Sequence, residues 1–215
     1  MKELVPNIYK FPPQKFFGET VGAYAIIQKK TVFCYDVPAD TEHNRSFLES
    51  TQRPIRIIMS HGPTSSGVES TRDSLRSRGL DVEIWLHEKD KGNVWLTIDP
   101  DLLLSTKDAE KLSEDLTLIF TPGHSEGSVC LFADVASGII FSGDTIQGTG
   151  NGDIRPLETK TNDLGNDIFF GSLRKLLDYD FRIIYPFHDY PITDARKKLI
   201  EFVDRHDPQL NLTNS

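Results

Sequence analysis

Four residues able to bind a metal ion recur at one kind of place in this sequence. His61 follows Ile57-Ile58-Met59-Ser60, His124 follows Thr121-Pro122-Gly123, Asp144 follows Phe141-Ser142-Gly143, and His188 follows Tyr185-Pro186-Phe187. Each comes just after a short apolar run, where a strand would release it into a loop. Sheet proteins collect ligands along such an edge. Three imidazoles and one carboxylate suit zinc or iron. Glycines on either side of His124 let the chain turn sharply and aim the ring into a cleft. Taken singly, each residue has a plainer role open to it: a solvated or capping His, an Asp at a turn or helix start. The shared placement is what argues for one site.

The elements that must carry these residues follow from periodicity and breakers. Ala23–Ile27 and Thr31–Tyr35 flank Gln28-Lys29-Lys30, which suits a hairpin. A helix around Asn44–Ser50 presents Phe47 and Leu48, and Pro54 breaks the chain before a strand at Ile55–Met59. A helix over Gly67–Arg78, closed by Gly79, leads to a strand at Val82–Leu86. That order implies a parallel pair with a right-handed crossover. Leu116–Phe120, Ser128–Phe132 and Gly138–Phe141 lie close together and favour antiparallel pairing. The polar, Gly-rich stretch 147–165 is too long for a simple turn, so it is either a functional loop or an ordered excursion, and its position beside Asp144 suggests a substrate lid. A helix over Asp167–Leu177, a strand at Arg182–Tyr185 and a helix over Asp194–Asp204, with Leu199, Phe202 and Val203 inward, complete the pattern. Strands followed by helices, twice over, imply α/β class: two mixed sheets in a four-layer αββα sandwich. We expect one domain over 1–215, with 207–215 as a loose tail.

Composition sets the outer limits. The chain has 215 residues and a formal net charge of −8, with its basic residues scattered. Nucleic-acid binding needs clustered Lys and Arg, so it is not expected. No segment approaches the roughly 20 apolar residues of a membrane span. The first residues lack the apolar core of a signal peptide, so the expected compartment is the cytoplasm. Cys34 and Cys130 each sit inside an apolar run and lack the paired spacing of a metal or redox motif, which points to buried thiols.

Three stretches, taken in order, carry a family resemblance: Thr121-Pro122-Gly123-His124-Ser125, Phe141-Ser142-Gly143-Asp144-Thr145 and Tyr185-Pro186-Phe187-His188. With them the chain resembles the metallo-β-lactamase superfamily over nearly its whole length. The hairpin from Tyr24 to Asp36 and Leu86-His87-Glu88 are similar to further parts of that family. The family's signature is His-x-His-x-Asp-His, and the resemblance aligns it with His61, Pro63, Ser65 and Ser66. Only its first His is kept. The resemblance thus implies one metal position with His61, His124 and Asp144, and a second with only Asp144 and His188. Serine hydroxyls are weak neutral donors and do not replace an imidazole and a carboxylate.

Two functions are therefore open. In the first, the protein is a hydrolase with a site for at most one ion, zinc or iron, acting on a small-molecule substrate. Its metal ligands are His61, His124, Asp144 and His188, and Asp144 and His188 serve catalysis. In the second, it is a non-catalytic binding or regulatory member of the fold that has lost metal. A di-iron redox role is disfavoured because acidic residues are missing from the signature. Glu69, Glu126 and Asp189 lie near candidate ligands in sequence, but read as surface carboxylates. His87 reads as structural, His43 and His206 as solvated, and Trp85 and Trp95 as packing residues. Substrate and oligomeric state are not legible.

Overall fold

The computed structural model describes residues 1–16, 18–65, 67–92, 98–155, 165–188 and 190–207. Ser66, Trp95, Asp189, 156–164 of the Gly-rich stretch and 208–215 of the tail lie outside the described residues. The chain divides into two compact units, Met1–Ser105 and Thr106–Ser215.

The first unit runs β1 (Lys2–Val5), β2 (Ile8–Lys10), β3 (Gln14–Phe16), β4 (Glu19–Val21), β5 (Tyr24–Ile27), β6 (Val32–Tyr35), α1 (Glu42–Ser50), β7 (Ile55–Ile58), α2 (Val68–Ser77), β8 (Val82–His87) and β9 (Leu102–Leu104). β3 and β4 form a separate hairpin. The others make one mixed sheet in the order β1-β2-β5-β6-β7-β8-β9. Pairing is antiparallel from β1 to β6 and parallel from β6 to β9. The hairpin expected around residues 28–30 is β5 and β6, and the expected parallel pair is β7 and β8.

Apolar alternation explains how the helices attach. Val82, Ile84 and Leu86 of β8 are buried together with Ile55 and Ile57 of β7, and Leu48, Val68 and Leu75 of the two helices join the same core. Burying each such side chain contributes about 1.5–3 kcal/mol. Thr41 caps α1 through its hydroxyl. Gly79, with φ +80°, ends α2 in the left-handed conformation that glycine adopts freely. Cys34 is fully buried in this core, and burial pushes its thiol up to about 12. Trp85 packs edge-on against Phe33, as a packing residue should.

The second unit runs β10 (Ala109–Ser113), β11 (Leu116–Phe120), β12 (Val129–Ala133), β13 (Ile139–Gly143), α3 (Asn166–Leu176), β14 (Ile183–Pro186), β15 (Ile192–Thr193) and α4 (Ala195–His206). Its sheet has the order β10-β11-β12-β13-β14-β15. Every pair is antiparallel except β13 with β14, which α3 connects. The core joins Ile119, Cys130, Ile140 and Ile184 of the sheet to Phe170 and Leu173 of α3 and to Leu199, Phe202 and Val203 of α4.

Of the two readings of the Gly-rich stretch, its described first part takes the ordered excursion. Gly148 bridges Ile154, Thr149 N donates to Asp153 O at 2.8 Å, and Arg155 N donates to Gln147 O at 2.9 Å. Lys198 of α4 pins the turn, donating to Gly152 O at 2.6 Å and pairing with Asp153 at 3.0 Å. Asp207, expected to open the loose tail, is instead held in place. Asp207 is fully buried, pairs with Arg174, and its N–H continues α4 by bonding Val203 O. A buried carboxylate needs such a partner, and Arg174 supplies it.

Two measurements check this packing. Asp40 ties α1 to α2: it pairs with Arg45 and accepts from Ser70 and Ser74 at 2.9 and 2.8 Å. Burial alone would raise its carboxyl, but bonds from Ser74, Arg45 and Ser70 outweigh that and hold it below the usual range. A depressed folded-state value contributes stability above the unfolded-state value, and the contribution is lost as pH falls. Asp40→Ala should therefore lower unfolding stability by about 1–3 kcal/mol at neutral pH in urea titration, with a smaller difference from wild type below pH about 4. Native protein should give no reaction with a thiol reagent, whereas denatured protein should expose both cysteines; rapid native labelling would contradict the burial of Cys34 and Cys130.

Candidate metal centre

Each candidate ligand leaves its strand through a defined local device. β13 and β14 run in parallel register from Ile139 opposite Ile183 to Phe141 opposite Tyr185, then slip by one residue so that Gly143 meets Pro186. Gly143 takes φ +54° there, a conformation that costs glycine little. Such an irregularity re-aims the next side chain, and that side chain is Asp144. On the neighbouring strand, Phe187 N donates to Gly143 O at 2.9 Å, which brings His188 level with Asp144. The Phe187 ring meets the His188 ring edge-on at 4.9 Å.

His124 is delivered by the turn after β11. Ser172 of α3 donates to Pro122 O at 2.6 Å. Gly123 packs so closely on α3 that an added Cβ would come within 2.9 Å of the Phe169 ring. Glycine is needed here for the close approach. Ser125 N and Oγ both bond Ser128 Oγ, at 3.0 and 2.8 Å, and close the loop after the histidine. Underneath, Thr121 Oγ1 lies 3.3 Å from Thr145 Oγ1, linking the His124 turn to the Asp144 turn through buried hydroxyls.

The result is a cluster around one carboxylate oxygen. Asp144 Oδ2 is 3.7 Å from His124 Nε2 and 3.5 Å from His188 Nε2. These separations exceed a normal N–H···O bond of about 2.7–3.2 Å. Two ligands of a tetrahedral zinc, each about 2.1 Å from the ion, stand about 3.4 Å apart. The spacing matches that edge. The carboxylate is the sheltered member, at 7% exposed, while His124 and His188 stand 24% and 15% exposed.

His61 belongs to the first unit. It lies beyond β7, which is central in its sheet, and begins the turn that continues as 3-10 helix over Gly62–Ser65. It is buried, and its Nδ1 lies 2.9 Å from Ser60 Oγ. Pro63, at the signature position where the resemblance expects an imidazole, sits in that short helix.

Other residues fall where the sequence suggests. Glu69 is half-exposed beside Arg72, and Glu126 is exposed. His87 ends β8, buried, and its Nδ1 accepts from Lys89 N at 3.3 Å. His43 and His206 are exposed on their helices. Sequence reasoning missed Gln147, whose Nε2 lies 3.5 Å from Asp144 Oδ1, on the carboxylate's other oxygen. It also missed the Thr121–Thr145 pair. Gln147 carries no motif, and Thr121 and Thr145, though they flank the His124 and Asp144 motifs, carry no spacing that reveals their contact.

Among the described residues no helix is long and apolar enough to cross a membrane. No protein-family profile matches the sequence. Over 87 residues, 40% of this chain, it is 33% identical to an atrochrysone carboxyl ACP thioesterase of Aspergillus fumigatus, and the match spans only 24% of that relative. Solved structures match over the whole length. A metallo-beta-lactamase from Erythrobacter litoralis superposes with TM-score 0.72 at 14% identity, covering 95% of each chain. The BLEG-1 B3 metallo-beta-lactamase gives 0.62 at 21%, covering 94% of this chain and 99% of its own. A metallo-beta-lactamase family protein from Thermus thermophilus gives 0.61 at 20%, covering 98% and 82%. With its two mixed sheets and four helices, the chain has the metallo-β-lactamase fold.

Proposed function

We propose that the protein is a hydrolase that uses a single metal ion held by His61, His124 and Asp144, with acyl thioesters as its substrate class. The observation that carries this is the ligand-like spacing of 3.7 Å between Asp144 Oδ2 and His124 Nε2. His61, His124 and Asp144 each offer one ligand atom, and three protein ligands with one open position is the usual catalytic zinc arrangement. The donor set of two imidazoles and a carboxylate suits zinc, and iron also accepts it. The thioesterase relative favours the substrate class.

Bound there, the ion would supply Lewis-acid polarisation of the scissile carbonyl and activation of a water. The chain's residues do the rest. Asp144 would help hold the ion, and Gln147 Nε2, 3.5 Å from its Oδ1, steadies the carboxylate. His188, on the same oxygen of Asp144, is the available proton donor to the leaving group. A thiol of pKa about 8.5 leaves readily as thiolate, whereas an alkoxide needs that proton.

Metal analysis after zinc-replete expression should give one ion per chain, lost in His124→Ala and Asp144→Asn. Asp144→Asn should lower kcat/KM on a short-chain acyl thioester by at least about 100-fold. His188→Ala should slow a matched oxyester more than the thioester, in line with the leaving-group argument. A protein that carries no metal and hydrolyses neither substrate would instead be a binding member of the fold.

A further inference from the structure

His61 is the candidate ligand whose own signature is broken, so something else must hold it in place. The backbone N–H before it and the one after it both end on carboxylates. Ser60 N donates to Asp36 Oδ1 at 2.9 Å, and Gly62 N donates to Asp90 Oδ2 at 2.7 Å. Both acids are buried, Asp36 at 0% and Asp90 at 2% exposed. They come from opposite sides: Asp36 directly follows β6 and Asp90 lies just beyond β8, the two strands that flank β7 in the sheet. Thr64 Oγ1 donates to His61 O at 2.7 Å, and Ser60 Oγ engages His61 Nδ1. The donor before, the donor after and the carbonyl of His61 itself are all held.

Holding a turn does not require charge. A buried carboxylate is costly to keep out of water unless strong donors meet it, and a neutral side chain could accept the same bond. Two of them converging on the three residues Ser60–Gly62 marks this segment as one whose position matters. Bonds from N–H to an ionised carboxylate are roughly twice as strong as neutral ones.

We propose that Asp36 and Asp90 are positioning residues for His61. They fix the backbone on both sides of it, and Ser60 occupies Nδ1, so that Nε2 is presented as the ligand nitrogen. Partners of this kind, one step removed from a metal, set ligand orientation and ion affinity. In this chain they do what the missing signature residues do not. The inference rests on the single-metal function, and its test has one arm that does not.

That arm uses metal-free protein with 15N-labelled histidine, with His61→Ala assigning the His61 signals. Long-range 1H–15N spectra should show one sharp His61 ring pattern, protonated at Nδ1, in wild type and in Asp90→Asn, whose amide oxygen can still accept from Gly62. In Asp90→Leu and Ser60→Ala the pattern should broaden or split between tautomers. The second arm is zinc competition with a chromophoric chelator: the zinc Kd should rise about 10–100-fold in Asp90→Leu and recover most of that in Asp90→Asn. Should Asp36→Leu or Asp90→Leu fail to fold, Ser60→Ala and Asp90→Ser carry both measurements. Unchanged His61 spectra in the folded variants, with only a lower melting temperature, would overturn the proposal. A wild type that binds no zinc would defeat the metal function, while the spectra still decide the positioning role.

Discussion

The Asp144–His188 pair at the centre of the second unit's cluster depends on how β14 is bonded to β13. The parallel pairing runs in register up to Phe141 and Tyr185, then slips at Gly143. One hydrogen bond past that slip, from Phe187 N to Gly143 O, sets the level of one strand end against the other. Asp144 and His188 are the residues that follow those two atoms. Shifting a strand by one residue would send every side chain to the opposite face, so the core fixes the register. Ile140 and Ile184, opposite each other in that register, are both fully buried under α3 and α4. The apolar core thus decides where the polar site can be.

The two other candidate ligands are held by different physics. His124 rests on a glycine pressed against Phe169 and on buried hydroxyls at Thr121 and Thr145. These contacts are short-range and neutral, and they tolerate little added volume. His61 is held by charged acceptors reaching in from β6 and β8. A close-packed turn resists displacement sterically. A turn hung between two carboxylates resists it through bonds that strengthen where water is excluded. The first device is sensitive to side-chain size and the second to whether the side chain can accept a hydrogen bond.

How much of this the sequence revealed follows from what leaves a pattern. The buried apolar strands and the four helices among the described residues were legible, because burial repeats at a helical or alternating period. The placement of His61, His124, Asp144 and His188 just past such strands was legible with them. Lys2–Val5, Leu102–Leu104, Ala109–Ser113 and Ile192–Thr193 were not, since strands at a sheet edge, whatever their length, carry too few buried positions to show alternation. Asp36, Asp90 and Gln147 were equally silent. They act on backbone N–H groups or on another side chain across the fold, and such pairing imposes no spacing on the sequence. The order of the turn at 147–155 left no period either: Gly148 is a glycine because the Tyr190 carbonyl passes within 2.0 Å of where a Cβ would stand.

The poverty of carboxylates bears on how many ions such a site could take. Two divalent cations bridged by one carboxylate would sit about 3.5–4 Å apart. Unit charges at that distance repel by about 4 kcal/mol at an effective dielectric near 20, and doubly charged ions by about four times as much. Asp144 supplies one negative charge, and the signature positions that could supply more are Pro63 and Ser65. Imidazoles and hydroxyls donate lone pairs but no net charge. One ion beside Asp144 leaves a net charge of about +1, which a substrate carbonyl or a water can share. A second ion would leave about +3 in a pocket whose carboxylate is already mostly shielded from solvent. With Pro63 and Ser65 at the positions where the resemblance expects an imidazole and an acid, the proposed site would favour one ion over two on charge alone, while the fold that carries it is unchanged.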